Sequence, residues 1–124
     1  MSTERKKRIL LIEDTAQTRE LVTLMLQNAG YEVEAAEDAV EAGKLLLKTR
    51  PNLIIADIQM PYMSGDEFIA ALRTEPSMKD IPVVFLSSDE RLGEHAKNLG
   101  AVAYFDKRSS MVKLLEVVEM YTQR

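Results

Sequence analysis

Five polar positions in this 124-residue chain are of types that can handle phosphorus or a hard cation: Glu13 and Asp14, then Asp57, Ser87 and Lys107. They follow four short apolar runs. Glu13-Asp14 follows Ile9–Ile12, Asp57 follows Leu53–Ala56, Ser87-Ser88 follows Val83–Leu86, and Asp106-Lys107 follows Val102–Phe105. Three carboxylates gathered within several ångströms raise one another's pKa or demand a cation. Lys107 supplies one positive charge. A divalent hard ion held by carboxylate oxygens, a backbone carbonyl and water balances the rest, and Mg²⁺ fits that ligand set. Beside such charges a carboxylate can attack phosphorus and carry it as an acyl phosphate. Positioning and electrostatics then do most of the catalysis. The Ser87 hydroxyl can donate to the transferred group, and the small Ser88 leaves space for it.

For these residues to act together, the elements that carry them must bring them to one place. The four apolar runs lack period-two alternation, which fits strands covered on both faces, as in a parallel sheet. Glu32-Val33-Glu34-Ala35-Ala36 alternates and reads as a half-exposed edge strand. Helical patterns lie between. One contains Leu21, Val22, Leu24, Met25 and Ala29 and is closed by Gly30. Another opens at Asp38 and ends before Pro51, which cannot continue it. Ser64 and Glu67 form a capping box ahead of Phe68, Ile69 and Leu72. The stretch Glu90–Asn98 has only Leu92 and Ala96 as apolar anchors. A last helix, capped by Ser109 or Ser110, carries Val112, Leu115, Val118, Met120 and Tyr121. Five strands alternating with five helices predict an open α/β sheet with helices on both faces. Such sheets place their crevice beyond the carboxyl ends of the strands, where the polar residues fall.

Composition narrows the chemistry. The absence of cysteine removes disulfides, thiolate metal sites and thiol catalysis, and a lone His95 argues against a transition-metal cluster. Sixteen basic against twenty acidic residues, a net charge of −4, disfavour nucleic acid as a direct partner. The cluster Arg5-Lys6-Lys7-Arg8 reads as a solvated lead-in, and the seven methionines as core filler. No segment approaches the roughly 20 apolar residues of a membrane span, so cytoplasmic residence is expected. The length fits a single domain over 1–124 with residues 1–7 as lead-in.

Taken together these residues resemble the receiver domain of two-component response regulators, the CheY-like family that includes the chemotaxis response regulator. The resemblance runs from about Arg8 to the C-terminal helix. Its most specific piece is Asp57-Ile58-Gln59-Met60-Pro61-Tyr62-Met63-Ser64-Gly65, which looks like the family's phosphoacceptor loop. Glu13-Asp14, Ser87, Gly100-Ala101 and Lys107 complete the ordered set. The resemblance implies a doubly wound, flavodoxin-like (βα)5 fold with a five-stranded parallel sheet in the order 2-1-3-4-5. It makes Asp57 the phosphoacceptor and makes Glu13, Asp14 and Asp57 the Mg²⁺ ligands, with the main-chain carbonyl of Gln59 as a further contact. Ser87 takes the place of the hydroxyl that binds a phosphoryl oxygen, Tyr104 that of the switch aromatic, and Lys107 that of the phosphate-pairing lysine. Gln59, Ser88 and Asp89 flank the pocket and would tune the phosphoryl lifetime. One departure is Arg108, where the family normally carries a proline joined by a cis bond. A non-proline cis bond costs about 2.5–4 kcal/mol, so a trans bond and a rearranged loop are expected.

The resemblance further implies a phosphorylation-activated switch that catalyses its own phosphoryl transfer and the slow hydrolysis of the product. Its donor would be a phosphohistidine on a sensor histidine kinase or histidine phosphotransfer protein, docking at the first helix. A downstream protein would read the surface formed by the 90–98 stretch, the fifth strand and the last helix. With no output segment after that helix, the chain reads as a stand-alone regulator or as a receiver cut from a longer regulator. A phosphorylation-independent pseudo-receiver scaffold is the alternative. A nucleotide- or flavin-binding domain would want a glycine-rich or hydroxyl-rich loop where Glu13-Asp14-Thr15-Ala16 stands. A metal-dependent phosphatase would want an acid two residues after Asp57, where Gln59 stands.

Overall fold

The computed structural model describes residues 6–59, 62–88, 91, 94, 98 and 100–123, with backbone alone at 66. Five strands, β1 (Arg8–Ile12), β2 (Glu32–Ala36), β3 (Leu53–Asp57), β4 (Val83–Ser87) and β5 (Ala103–Asp106), form one parallel sheet in the order β2-β1-β3-β4-β5. Helices α1 (Ala16–Asn28), α2 (Ala39–Leu46) and α3 (Gly65–Arg73) connect the strands, and α4 (Met111–Thr122) follows β5. The doubly wound five-stranded sheet and its order are those expected. Of the helix expected over 90–98, Arg91, Glu94 and Asn98 are helical. The rest of that stretch, His95 among it, lies outside the described residues.

Both faces of the sheet are covered over its centre, which is why the apolar runs of β1, β3 and β4 are buried along their length, while the edge strand β2 alternates and is half-exposed. Leu10, Ile12, Ile54, Ala56, Val83 and Phe85 pack under α2 and α3 with Ala42, Phe68, Ile69 and Leu72. Ile9, Leu11, Leu53, Ile55, Val84, Leu86 and Phe105 pack under α1 and α4 with Val22, Leu26, Leu114 and Val118. The expected α1 face is corrected. Val22 and Leu26 are buried, whereas Leu21 and Leu24 are 53% and 58% exposed. On α4 the buried positions are Leu114, Val118 and Thr122, and Val112 and Met120 face solvent.

The predicted punctuation holds. Gly30 adopts φ 100°, and the Gly30 and Tyr31 amides donate back to the carbonyls of Gln27 and Leu26, closing α1 in a Schellman motif. Asp38 caps α2 by accepting from Glu41 N–H. Ser64 and Glu67 form the reciprocal capping box of α3. Ser110, rather than Ser109, caps α4 through Val112 N–H.

Candidate functional site

Register alone brings the acidic residues together. Ile12 pairs with Ala56, so the next residues, Glu13 and Asp57, stand side by side at the carboxyl ends of β1 and β3. This is the switch point of the sheet, since the chain leaves β1 for β2 on one side and returns to β3 on the other. Asp57 pairs with Leu86 and Ser87 with Asp106, which puts Ser87 and Lys107 at the same rim. Strands β3, β4 and β5 each run one residue beyond the apolar runs, so Asp57, Ser87 and Asp106 close their strands. Carboxylate oxygens of Glu13, Asp14 and Asp57 lie within 4.8 Å of one another. Glu13 and Asp57 are buried and Asp14 is exposed.

Lys107 reaches past β4 to meet two of these acids. Its Nζ donates to Asp57 Oδ2 at 2.7 Å and lies 3.0 Å from Glu13 Oε1. The second contact is an ion pair to a buried oxygen, so one ammonium is shared between two acids. The other oxygen of each acid is held by backbone. Thr15 N–H donates to Glu13 Oε2 at 3.1 Å, and Gln59 N–H donates to Asp57 Oδ1 at 3.0 Å. Arg19, one turn into α1, ties down the acidic loop by donating to the carbonyl oxygens of Glu13 at 2.8 Å and Asp14 at 3.4 Å. Neither these amides nor Arg19 stood out in the sequence. Backbone donors carry no residue signature, and an arginine in a first helical turn is usually solvated.

The electrostatics follow from burial. Burial pushes the Glu13 carboxyl up; the Thr15 amide and Lys107 pull it back only in part, and the Asp57 charge pushes it further up. Burial also draws the Lys107 ammonium down, but its bonds to Asp57 and Glu13 outweigh this and leave it raised. Three carboxylates face one ammonium. The imbalance of two charges fits a divalent cation on oxygen ligands.

The remaining expected residues fall around this centre. Ser87 is buried and Ser88 exposed. Tyr104 pairs with Phe85 in register and packs, partly buried, on the α2–α3 face of the core. Asp89, Met60 and Pro61 lie outside the described residues. No cis peptide occurs among the described residues, so the Lys107–Arg108 bond is trans, as expected. Asp106 and Arg108 form a local pair on either side of Lys107, with Arg108 Nη2 2.8 Å from Asp106 Oδ2. Hydrogen bonds from Arg108 hold the Asp106 carboxyl down to about 2. No helix among the described residues is long and apolar enough to cross a membrane.

A parallel 2-1-3-4-5 sheet with an acidic pocket and a lysine at its switch point is the arrangement of a receiver domain. The response regulator receiver domain family matches residues 9–119, and the chain belongs to that family. The chemotaxis response regulator CheY4 of Vibrio cholerae is 32% identical and superposes with a TM-score of 0.85 over 94% of this chain and 99% of that one. The response regulator TrrA of Thermotoga maritima, solved in complex with Mg²⁺-BeF, is 32% identical with a TM-score of 0.82 over 93% and 98% of the two chains. A curated relative, the two-component response regulator-like APRR7 of Arabidopsis thaliana, is 34% identical over 114 residues. That match covers 87% of this chain but only 16% of the relative's length.

Proposed function

We propose that this chain is a phosphorylation-activated switch that accepts a phosphoryl group on Asp57 with Mg²⁺ in the acidic pocket. The observation that carries the reading is Lys107 Nζ lying 2.7 Å from Asp57 and 3.0 Å from Glu13. A lone surface acid would not attract a lysine across an intervening strand. Glu13, Asp14, Asp57 and the Gln59 carbonyl would hold Mg²⁺, and the bound ion would neutralise oxygens of the incoming phosphoryl group.

The chain's own residues supply the rest. Gln59 N–H orients the Asp57 carboxylate, one oxygen of which attacks phosphorus as the bond to the donor imidazole nitrogen breaks. Phosphorus passes from nitrogen to oxygen, and the imidazole leaves with the bonding pair. Lys107, released from direct pairing with Asp57, follows the negative charge onto a phosphoryl oxygen. The Ser87 hydroxyl donates to another. Ser87 and Tyr104 lie on neighbouring strands at diagonal positions of one sheet face, since Ser87 pairs with Asp106. Movement of Ser87 toward the phosphoryl group leaves space into which the Tyr104 ring can turn. The partner surface to which β5 and α4 contribute then shifts its population. Gln59 and Ser88 flank the group and set its lifetime, with Asp89, outside the described residues, as a third candidate for that role.

The donor is a phosphohistidine on a sensor histidine kinase or phosphotransfer protein, and α1 is its docking face. Leu21 and Leu24 are exposed on it, and Leu21 lines a small hollow with Thr18, Phe105, Lys107 and Met111. A downstream protein reads the altered surface.

Incubation with acetyl phosphate and Mg²⁺, followed by intact-mass measurement, tests the reading. Wild type gains one phosphoryl group and Asp57→Asn gains none. No gain by wild type, together with no beryllofluoride binding, would favour the scaffold alternative.

A further inference from the structure

Lys107 has to hold its ammonium on acids belonging to two other strands, and it does so from a place where β5 has just ended. Its amide is fixed to the sheet by donating to Ser87 O at 2.9 Å. Beyond that bond the chain leaves the ladder, and each residue regains two soft dihedrals. A lysine stem is flexible, so the reach of its ammonium depends on how well its own backbone is held.

The residues on either side of Lys107 clasp each other across it. Arg108 donates Nε to Asp106 Oδ1 at 2.9 Å and Nη2 to Asp106 Oδ2 at 2.8 Å. Arg108 N–H adds a bond to Asp106 Oδ1 at 2.9 Å, and Ser109 N–H donates to Asp106 O at 2.8 Å. The two side chains are 35% and 67% exposed, so as a simple ion pair they add little to stability. What a planar two-point fork adds is geometry. Here it closes a loop of three residues whose middle member is Lys107.

We propose that Asp106 and Arg108 are positioning residues, whose fork locks the backbone around Lys107 and thereby keeps its ammonium on Asp57 and Glu13. The proposal rests on Lys107 being the cation of the phosphoryl site, as argued above. Neither residue need touch the phosphoryl group. Their effect on the reaction passes through the backbone of the lysine between them.

The test compares wild type with Asp106→Ala, Asp106→Asn, Arg108→Ala and the double alanine variant. Amide hydrogen exchange at Lys107 and Ser109 is measured in the unphosphorylated protein, and phosphorylation is measured at saturating acetyl phosphate and Mg²⁺. Each alanine variant is expected to lower the saturated rate about ten-fold, since small misplacement of a catalytic group is costly, and to speed exchange at both amides. Mg²⁺ affinity stays at its wild-type value. Asp106→Asn keeps the Oδ1 acceptor for Arg108 N–H and recovers part of the loss. The double variant costs no more than Asp106→Ala alone, since removing the carboxylate already takes away every bond that Arg108 makes to it. Wild-type rates and exchange in both alanine variants would overturn the proposal, as would losses that multiply in the double variant. Should wild type take no phosphoryl group, the reading of Lys107 fails, and the exchange measurement still decides whether the fork holds the backbone.

Discussion

Gly65 and Phe85 meet so closely that a β-carbon on the glycine would stand 3.0 Å from the ring edge. The same carbon would lie 3.1 Å from both Ile58 Cγ1 and the Ile58 carbonyl oxygen. Gly65 N–H donates to that carbonyl at 3.0 Å, so the start of α3 is drawn tightly onto Ile58 and the Phe85 ring of β4. Gly65→Ala should destabilise the protein by about 1–3 kcal/mol through overpacking. Urea unfolding monitored by circular dichroism measures this, and an unchanged midpoint would show that the loop has slack.

Ionised Glu13 is a liability that a bound cation would remove. Its folded pKa is raised above the ordinary 4.5, so ionising it costs folding free energy. At low pH the carboxyl is neutral in both states and the cost vanishes. It grows as pH rises past 4.5 and is complete above the folded pKa. In EDTA at pH 7, Glu13→Gln should therefore melt above wild type. Mg²⁺ reverses the order, because a ligand at 100 times its Kd adds about 2.7 kcal/mol to a protein that binds it. A variant that melts below wild type in EDTA would refute this account of the buried acid.

Asp106 has its pKa depressed to about 2 from an ordinary 3.8. An acid shifted in this direction favours the folded state above pH 3.8, and the benefit fades as pH falls through about 2. Carboxyl NMR titration should find it there, and in Arg108→Ala it should return part of the way toward 3.8, because the guanidinium bonds are gone while the residue 108 N–H still donates to Oδ1. An unmoved titration would mean that Arg108 does not set the charge of Asp106.

Tyr62 adopts φ 72°, the left-handed region that β-carbons disfavour by roughly 1–2 kcal/mol, and its ring is 82% exposed. Little packing compensates for this conformation. Tyr62→Asn, which tolerates the left-handed region, should raise stability by up to about 1 kcal/mol. A thermal melt decides it, and a loss of stability would reveal packing by the ring that its exposure does not show.

The fold was legible because the sheet is covered on both faces. Runs such as Val83–Leu86 have no polar residue to confuse with a surface strand, and the first charged or hydroxyl residue after each marks its carboxyl end. That rule brought Glu13, Asp57, Ser87 and Lys107 to one rim without any knowledge of side-chain geometry. Helix faces were harder. Leu21, Val22, Leu24 and Met25 are all apolar, and only the packing of α1 on the sheet selects Val22 and Leu26 for burial. Loop tethers were harder still. The bonds from Arg19 to the Glu13 and Asp14 carbonyls, and from Arg108 to Asp106, depend on where backbone turns, which residue types do not encode.

Glu13 and Asp57 come from strands that are neighbours in the sheet, whereas Lys107 comes from the far edge and from a point fifty residues after Asp57. A ribosome therefore releases the acidic cluster well before its resident counter-charge, and domains generally fold as units rather than piecemeal. A half-made chain would hold the Glu13 and Asp57 carboxylates without the Lys107 ammonium that pairs with both. The charge-balanced pocket thus comes into being only with completion of the last strand, which ties assembly of the site to assembly of the whole sheet.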